Sequence, residues 1–219
     1  MAGCASGPAD SGWPLVVDEA LVTAGCLDHF AYSDTSRWRR NDDARGDLEL
    51  LGDSHYAPPV RSPTSIALWR SLEVADFNLE VELLQTGRDY GHRDLCLFFG
   101  FQSPTRFYYV HLAPAPDANA HNVFLVNDAP RTNLAPVPAR GVDWGHDVWH
   151  HVRIERRTAT GTIRVFWDRG TEPILDATST TFAWGRIGFG SFDDSGRFRS
   201  LRVWAPNTRP PAAQVAFQP

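Results

Sequence analysis

Residues 77–83 alternate apolar and polar side chains without interruption, and this alternation constrains the fold more than any other sequence feature. Successive side chains of a β-strand point to opposite faces, so this segment is predicted to turn Phe77, Leu79, Val81 and Leu83 toward a core. Further short strand-like runs follow, separated by many of the 17 glycines and 16 prolines. Short strands divided by frequent turns are typical of a β-sandwich or β-barrel.

The chain is predicted to form a single β-sandwich domain over residues 21–205, since domains of this class reach such a length. Residues 1–20 are small and polar and are interpreted as a flexible tether, and residues 206–219 as a proline-rich tail. The opening Ala2-Gly3-Cys4-Ala5-Ser6 resembles the end of a bacterial lipoprotein signal, which would make Cys4 a lipid anchor. A random flexible terminus is the alternative that the sequence leaves open.

Charge and cysteine content exclude several classes of function. The net charge of −5 and the scattered arginines argue against a nucleic-acid partner, which normally requires a basic stripe. The sequence contains no run of about 20 apolar residues, so no transmembrane segment is predicted. The three cysteines lack the spacing of a metal site. Cys26 and Cys96 are interpreted as buried thiols, with one disulfide bridge as the alternative.

The last third of the chain carries a recognisable succession of motifs. Trp-His-x-Val-x-Ile at 149–154 is followed by Gly-Thr-Ile-x-Val-Phe-x-Asp at 161–168 and by Gly-Arg-Ile-Gly-Phe-Gly-Ser-Phe-Asp-Asp at 185–194. This order is similar to that of the laminin-G-like and concanavalin A-like superfamily of lectins and glucanases. The resemblance implies an all-β fold, a two-sheet antiparallel jelly-roll sandwich.

The middle of the chain looks like a group of bacterial secreted proteins near the 3-keto-disaccharide hydrolases. The segments that carry this likeness are 90–94, 107–112 and 126–132. The superfamily includes lectins, hydrolases and lyases, so the resemblance implies a saccharide partner without deciding whether it is cleaved. Residues 197–200 depart from the acidic pattern of many relatives. We therefore predict no cofactor and no metal, with a structural calcium ion left open.

The carboxylate pattern of laminarinase-type hydrolases, Glu-x-Asp-x-x-Glu, does not occur. Basic and aromatic side chains instead cluster around the strand predicted at 106–112. Alternation along this strand places Tyr109 and His111 on one face, whereas Tyr108, Val110 and Leu112 point to the other. If the latter three fill the core, Tyr109 and His111 line an exposed concave sheet.

These side chains suit an acidic sugar, because arginine binds a carboxylate through two hydrogen bonds and histidine can transfer a proton near neutral pH. Jelly-roll lyases divide β-elimination between a carboxylate neutraliser and a His–Tyr pair. The predicted catalytic residues are His111, Tyr109 and His121. The predicted substrate-binding residues are His92, Arg93, Gln102, Arg131 and Trp144. The turn at 193–196 is interpreted as a plain turn because it lacks the later ligands of a calcium loop.

The sequence therefore favours an extracytoplasmic bacterial protein, either secreted or lipid-anchored, that binds an oligo- or polysaccharide on its concave sheet. Cleavage by lyase or hydrolase chemistry and binding without cleavage, as in a lectin-like module, are left as alternatives. A laminin-G-like protein-interaction domain is the second alternative.

Overall fold

The computed structural model describes residues 12–23, 25–42 and 46–217. The strands are β1 (Leu15–Glu19), β2 (Phe30–Tyr32), β3 (Trp38–Asn41), β4 (Asp47–Leu50), β5 (Ser65–Trp69), β6 (Glu73–Val74), β7 (Phe77–Gln85), β8 (Leu95–Ser103), β9 (Arg106–Leu112), β10 (Asn122–Asn127), β11 (Thr132–Asn133), β12 (His150–Arg157), β13 (Thr162–Trp167), β14 (Leu175–Thr178), β15 (Arg186–Ser191), β16 (Gly196–Trp204) and β17 (Thr208–Arg209). Two short 3₁₀ helices span Cys26–His29 and Thr35–Arg37.

The strands form two large antiparallel sheets, which confirms the predicted jelly-roll sandwich. Sheet 1 has the order β14-β13-β12-β7-β16-β4-β3, and β1 pairs with β16. Sheet 2 has the order β11-β10-β9-β8-β15-β5-β2. Many neighbours are distant in sequence, as where β16 lies between β7 and β4. The chain also crosses between the sheets, as where β15 of sheet 2 is followed by β16 of sheet 1.

The space between the sheets is filled by apolar side chains from both. The alternating residues Phe77, Leu79, Val81 and Leu83 of β7 are all buried there, as predicted. Sheet 2 contributes one face of β9, namely Tyr108, Val110 and Leu112. Burial of large apolar side chains is the main stabilising contribution in such a core. The predicted parity of β9 is therefore confirmed.

The other face of sheet 2 carries a second apolar cluster. Its members are Tyr56, Ile66, Leu68, Cys96, Phe98, Phe101, Phe107, Tyr109, Phe124 and Val126. Val60 from the segment before β5, and Val215 and Phe217 from the chain end, pack against this cluster. Much of the outer face of sheet 2 is thus covered, in contrast to the exposed concave sheet expected from the sequence.

Strand β8 changes its side-chain alternation at Gly100. This glycine has φ +56°, and the register of β8 against both neighbours shifts around it. A β-bulge of this kind inserts one residue and reverses which face the following side chains occupy. Phe98 and Phe101 consequently share the outer face, although they are three positions apart.

Two segments that the sequence assigned to the tether and to the tail form strands in the structure. Leu15–Glu19, assigned by sequence to the tether, forms β1 and pairs with β16. Thr208–Arg209 in the predicted tail pairs with β6. The predicted lipidation site, Cys4, lies outside the described residues. Within those residues no helix has the length and apolar character needed to cross a membrane.

Candidate functional site

A cleft of about 240 Å³ opens at one end of sheet 2, where β8 begins and β9 ends. We call it the β8–β9 cleft. Its lining residues are Arg61, Tyr90, His92, Asp94, His111, Asn119, Ala120, Arg131, Phe192 and Asp193. Three of the predicted site residues, His92, His111 and Arg131, therefore come together here.

His111 lies at the inner wall of the cleft and is only 4% exposed. Its Nδ1 accepts a hydrogen bond from the backbone N–H of His121 at 3.2 Å. The ring's other nitrogen, Nε2, therefore carries the proton of the neutral form and lies 3.8 Å from an oxygen of Asp94. Burial, followed by the charge of Arg131, lowers the pKa of His111 to about 3. His111 is thus a neutral side chain at physiological pH.

The other two predicted catalytic residues do not line the cleft. His121 is 1% exposed, and its Nδ1 accepts the backbone N–H of Ala113 at 3.3 Å. Burial lowers the pKa of His121 to about 4. Tyr109 is fully buried in the second apolar cluster, where its ring stacks on Phe124 at 5.0 Å. Burial also raises the pKa of Tyr109 well above its ordinary value. The expected His–Tyr acid–base pair is therefore not assembled on an open surface.

His92 and Arg131 both line the cleft. The His92 side chain is about half exposed, with Nε2 3.1 Å from an Asp117 carboxylate oxygen. The Arg131 guanidinium lies over the rings of Phe192 and Phe124 at 4.5 and 5.0 Å, and it donates to the Asn119 carbonyl at 2.9 Å. Arg131 therefore supports the aromatic wall of the cleft and places a positive charge in it.

Two of the predicted binding residues lie on another part of the surface or in the interior. Arg93 points away from His92, its chain neighbour, and donates to the Gly145 carbonyl at 3.2 Å. It lines a separate cleft with residues 139–143. Trp144 is 1% exposed, donates its indole N–H to the Arg93 carbonyl and packs edge-on against Trp167. Trp144 therefore cannot act as a sugar platform in this structure.

Gln102 is separated from the cleft by most of the length of β8. His111 pairs with Cys96, whereas Gln102 lies six residues further along the strand, a distance of about 20 Å. The bulge at Gly100 also reverses its side. The exposed side chain of Gln102 donates to the Trp184 carbonyl at 3.1 Å. Gln102, predicted from sequence to bind substrate, therefore lies outside the cleft that contains His111.

A pair of carboxyl groups forms the floor beside the cleft. Asp94 accepts hydrogen bonds from the Ser191 hydroxyl and the Phe192 N–H, both at 3.0 Å, while Asp194 accepts from the Tyr90 hydroxyl at 2.7 Å. The Asp94 N–H also donates to Asp194 at 2.8 Å. Burial raises the pKa of both carboxyl groups. This arrangement ties the start of β8 to the turn after β15.

Sequence analysis did not identify Arg61, Tyr90, Asp94, Asn119, Phe192 or Asp193 as site residues. Arg61 and Asn119 come from loops with no distinctive motif. Asp94 and Asp193 are about 100 positions apart, so only the pairing of β8 with β15 brings them together. The turn at 193–196 was the one usable signal for the carboxyl cluster.

Two groups of side chains in the described ranges have the donor spacing of a metal site, and they share Asp94. One combines Asp94 with Cys96 and His111, and the other combines it with Asp193 and Asp194. In the first group, Nε2 of His111 carries its proton and so lacks the free lone pair that a metal requires. The second group offers only carboxylate oxygens, which suit hard cations.

Comparisons with known proteins support the fold. The carbohydrate-binding module CBM66 from Bacillus subtilis superposes with a TM-score of 0.58 at 14% identity, covering 81% of this chain and 96% of the module. A galectin-like protein of unknown function from Bacillus subtilis gives 0.58 at 13% identity, covering 87% and 95%. The lectin UEA-II, solved with galactose, gives 0.53 at 11% identity, covering 86% and 97%.

No family model and no curated protein sequence matches the chain. Identities this low establish the shared jelly-roll sandwich alone. The likeness to the 3-keto-disaccharide hydrolase group therefore stays a prediction from sequence.

Proposed function

We propose that this protein is a carbohydrate-binding β-sandwich that holds a saccharide in the β8–β9 cleft without cleaving it. The observation that carries the proposal is the cleft itself. It combines the half-exposed His92 and the exposed Arg61, Asn119 and Asp193 with the partly exposed ring of Phe192. Sugars present hydroxyl groups at their edges and C–H surfaces on their faces, so a polar rim around an aromatic ring complements both.

The names of similar structures support the same class of ligand. One is a carbohydrate-binding module and another is a lectin solved with galactose. The two arginines at the cleft, Arg61 and Arg131, favour sugars that carry a carboxylate. An extracytoplasmic location, as inferred from sequence, is part of this proposal because such glycans are found there.

The positions of the ionisable groups favour binding over cleavage. Most glycosidases use two carboxyl groups that flank the scissile bond. Of the three carboxyl groups beside the cleft, Asp94 and Asp194 are buried, so Asp193 alone is exposed to a ligand. A lyase would need a reachable proton acceptor and donor, whereas His111 and Tyr109 are both buried.

The test is binding of neutral and uronate-containing oligosaccharides, first on a glycan array and then by calorimetry. Arg61→Ala and His92→Ala should each weaken the affinity for the best glycan about tenfold or more, as for loss of a hydrogen bond from a charged or polar group. The matched control is Arg164→Ala, on the outer face of sheet 1, where Arg164 faces Asp176 at 3.4 Å. This control should bind like the wild type.

Two results would contradict the proposal. Unchanged affinity in both cleft variants would move the site elsewhere on the sandwich. Release of reducing ends, or of unsaturated uronate detected by its ultraviolet absorbance, would establish cleavage and replace the binding function by an enzymatic one.

A further inference from the structure

The turn between β15 and β16 brings an excess of negative charge against the start of β8. One carboxylate oxygen each from Asp94, Asp193 and Asp194 lies within 4.8 Å of the others. Asp193 is an exposed residue, but its carboxyl group is partly shielded from solvent; this desolvation, followed by the neighbouring charges of Asp194 and Asp53, raises the pKa of Asp193, while Arg88 acts in the opposite direction. Like charges this close repel one another strongly unless a cation or a proton lies among them.

A second, independent observation comes from Gln85, at the end of β7. Its side chain is 4% exposed, and neither its Oε1 nor its Nε2 makes a hydrogen bond within the described ranges. Leaving a buried amide unsatisfied is costly, about 1–3 kcal/mol. Such a group in a native protein is expected to bind a partner from outside the chain, such as water or an ion.

The amide of Gln85 and the carboxylate of Asp194 face the same small space above Gly87. A Cβ atom added to Gly87 would lie 2.8 Å from Asp194 Oδ1 and 2.9 Å from Gln85 Nε2. Asp194 Oδ1 is the oxygen turned away from the Tyr90 hydroxyl and the Asp94 N–H, which both donate to Oδ2. Since the amide makes no other bonds that fix its orientation, a half-turn presents Oε1 to this space.

We propose that the carboxylates of Asp94, Asp193 and Asp194, together with the amide oxygen of Gln85, bind one calcium ion. Calcium takes six to eight oxygen ligands in flexible geometry, which carboxylates, an amide and solvent can supply. Magnesium demands a stricter octahedron and dehydrates reluctantly. Zinc prefers nitrogen and sulfur donors, which this group lacks.

Bound calcium would join three segments, the end of β7, the start of β8 and the β15–β16 turn. Asp193 also lines the β8–β9 cleft, so the ion would fix one wall of that cleft. Asp94 and Asp193 belong to both sites, but the tested residues differ. Gln85 and Asp194 would hold the ion and do not line the cleft, whereas Arg61 and His92, which test the saccharide proposal, take no part in the ion site. Failure of sugar binding would therefore leave this inference standing, and the reverse also holds.

The experiment uses the full chain after treatment with a chelator. Titration with calcium chloride by calorimetry should give one ion per chain, and calcium should raise the thermal unfolding midpoint in proportion to the logarithm of its concentration. Asp193→Asn, at an exposed position, should weaken calcium binding about tenfold or more. Asp176→Asn, on the exposed edge strand β14, is the matched control and should bind calcium like the wild type.

A second variant tests the buried amide directly. Gln85→Leu removes the unsatisfied group, so the calcium-free protein should unfold at a higher temperature while its gain on adding calcium becomes smaller. Absence of any heat or midpoint shift in millimolar calcium would overturn the proposal, as would wild-type calcium affinity in both variants. Magnesium binding as tight as calcium binding would overturn the assignment of the ion.

Discussion

Replacing His111 by Asn should make the protein less sensitive to acid. The pKa of His111 is about 3 in the folded protein, compared with an ordinary value near 6.5. Below about pH 6.5 the unfolded chain therefore binds a proton at this residue that the folded chain does not. Protonation favours the unfolded state, so the stability present above pH 6.5 is progressively lost as the pH falls toward 3.

The size of the effect follows from the pH interval. A difference of one bound proton changes the free energy of unfolding by about 1.4 kcal/mol per pH unit, which gives about 2 kcal/mol between pH 6.5 and pH 5. For a chain of 219 residues this corresponds to a loss of about 4–8 °C in the unfolding midpoint. In His111→Asn this share of the pH dependence should disappear.

The choice of asparagine keeps the local structure. The Oδ1 atom of asparagine lies roughly where Nδ1 lies in histidine. It can therefore accept the hydrogen bond that the backbone N–H of His121 donates to His111 Nδ1 at 3.2 Å. His121 and Asp94 contribute pH dependences of opposite sign, since burial lowers the pKa of one and raises that of the other. Both residues remain in the variant, so their contributions are retained except for the part that depends on their contact with the His111 ring.

The measurement is urea-induced unfolding of the wild type and the variant at pH 7.5 and pH 5. The quantity compared is the drop in unfolding free energy between the two pH values, because any packing defect of the variant affects both equally. His146→Asn is the control, as His146 is exposed in a loop. An equal drop in the wild type and in His111→Asn would refute the argument that this imidazole is held neutral by burial.

Two further predictions concern residues around the core and the cleft. Arg156 is 1% exposed and donates four hydrogen bonds to the carbonyls of residues 161, 162, 179 and 182, so Arg156→Met should lower the unfolding free energy by about 3 kcal/mol or more. A loss below about 1 kcal/mol in urea would contradict this. Tyr109→Phe should leave glycan affinity within about twofold of the wild type, because the ring is sealed away from the cleft. A large loss measured by calorimetry would return Tyr109 to the binding site.

The sequence alone determined the class of fold and, for individual strands, which side chains point toward the core. Strict alternation in β7 placed its four apolar side chains in the core, and the alternation of β9 separated Tyr108 from Tyr109 correctly. Strand periodicity is a local property of the backbone, so it can be recognised without knowledge of the partner strands. The same reliance on alternation explains why Gln102 lies away from its predicted site. A single inserted residue at Gly100 reverses the pattern of β8 before Gln102.

Only the tertiary structure decided which outward-facing side chains meet solvent. Tyr109 and His111 leave the core as predicted, but Tyr56 and Phe217, more than 150 positions apart, contribute to the apolar layer over this face. The cleft and the carboxyl cluster likewise depend on β15 lying beside β8, which brings Asp94 and Asp194 into contact. Covering layers and clusters of this kind arise from long-range packing, whose partners no local pattern specifies.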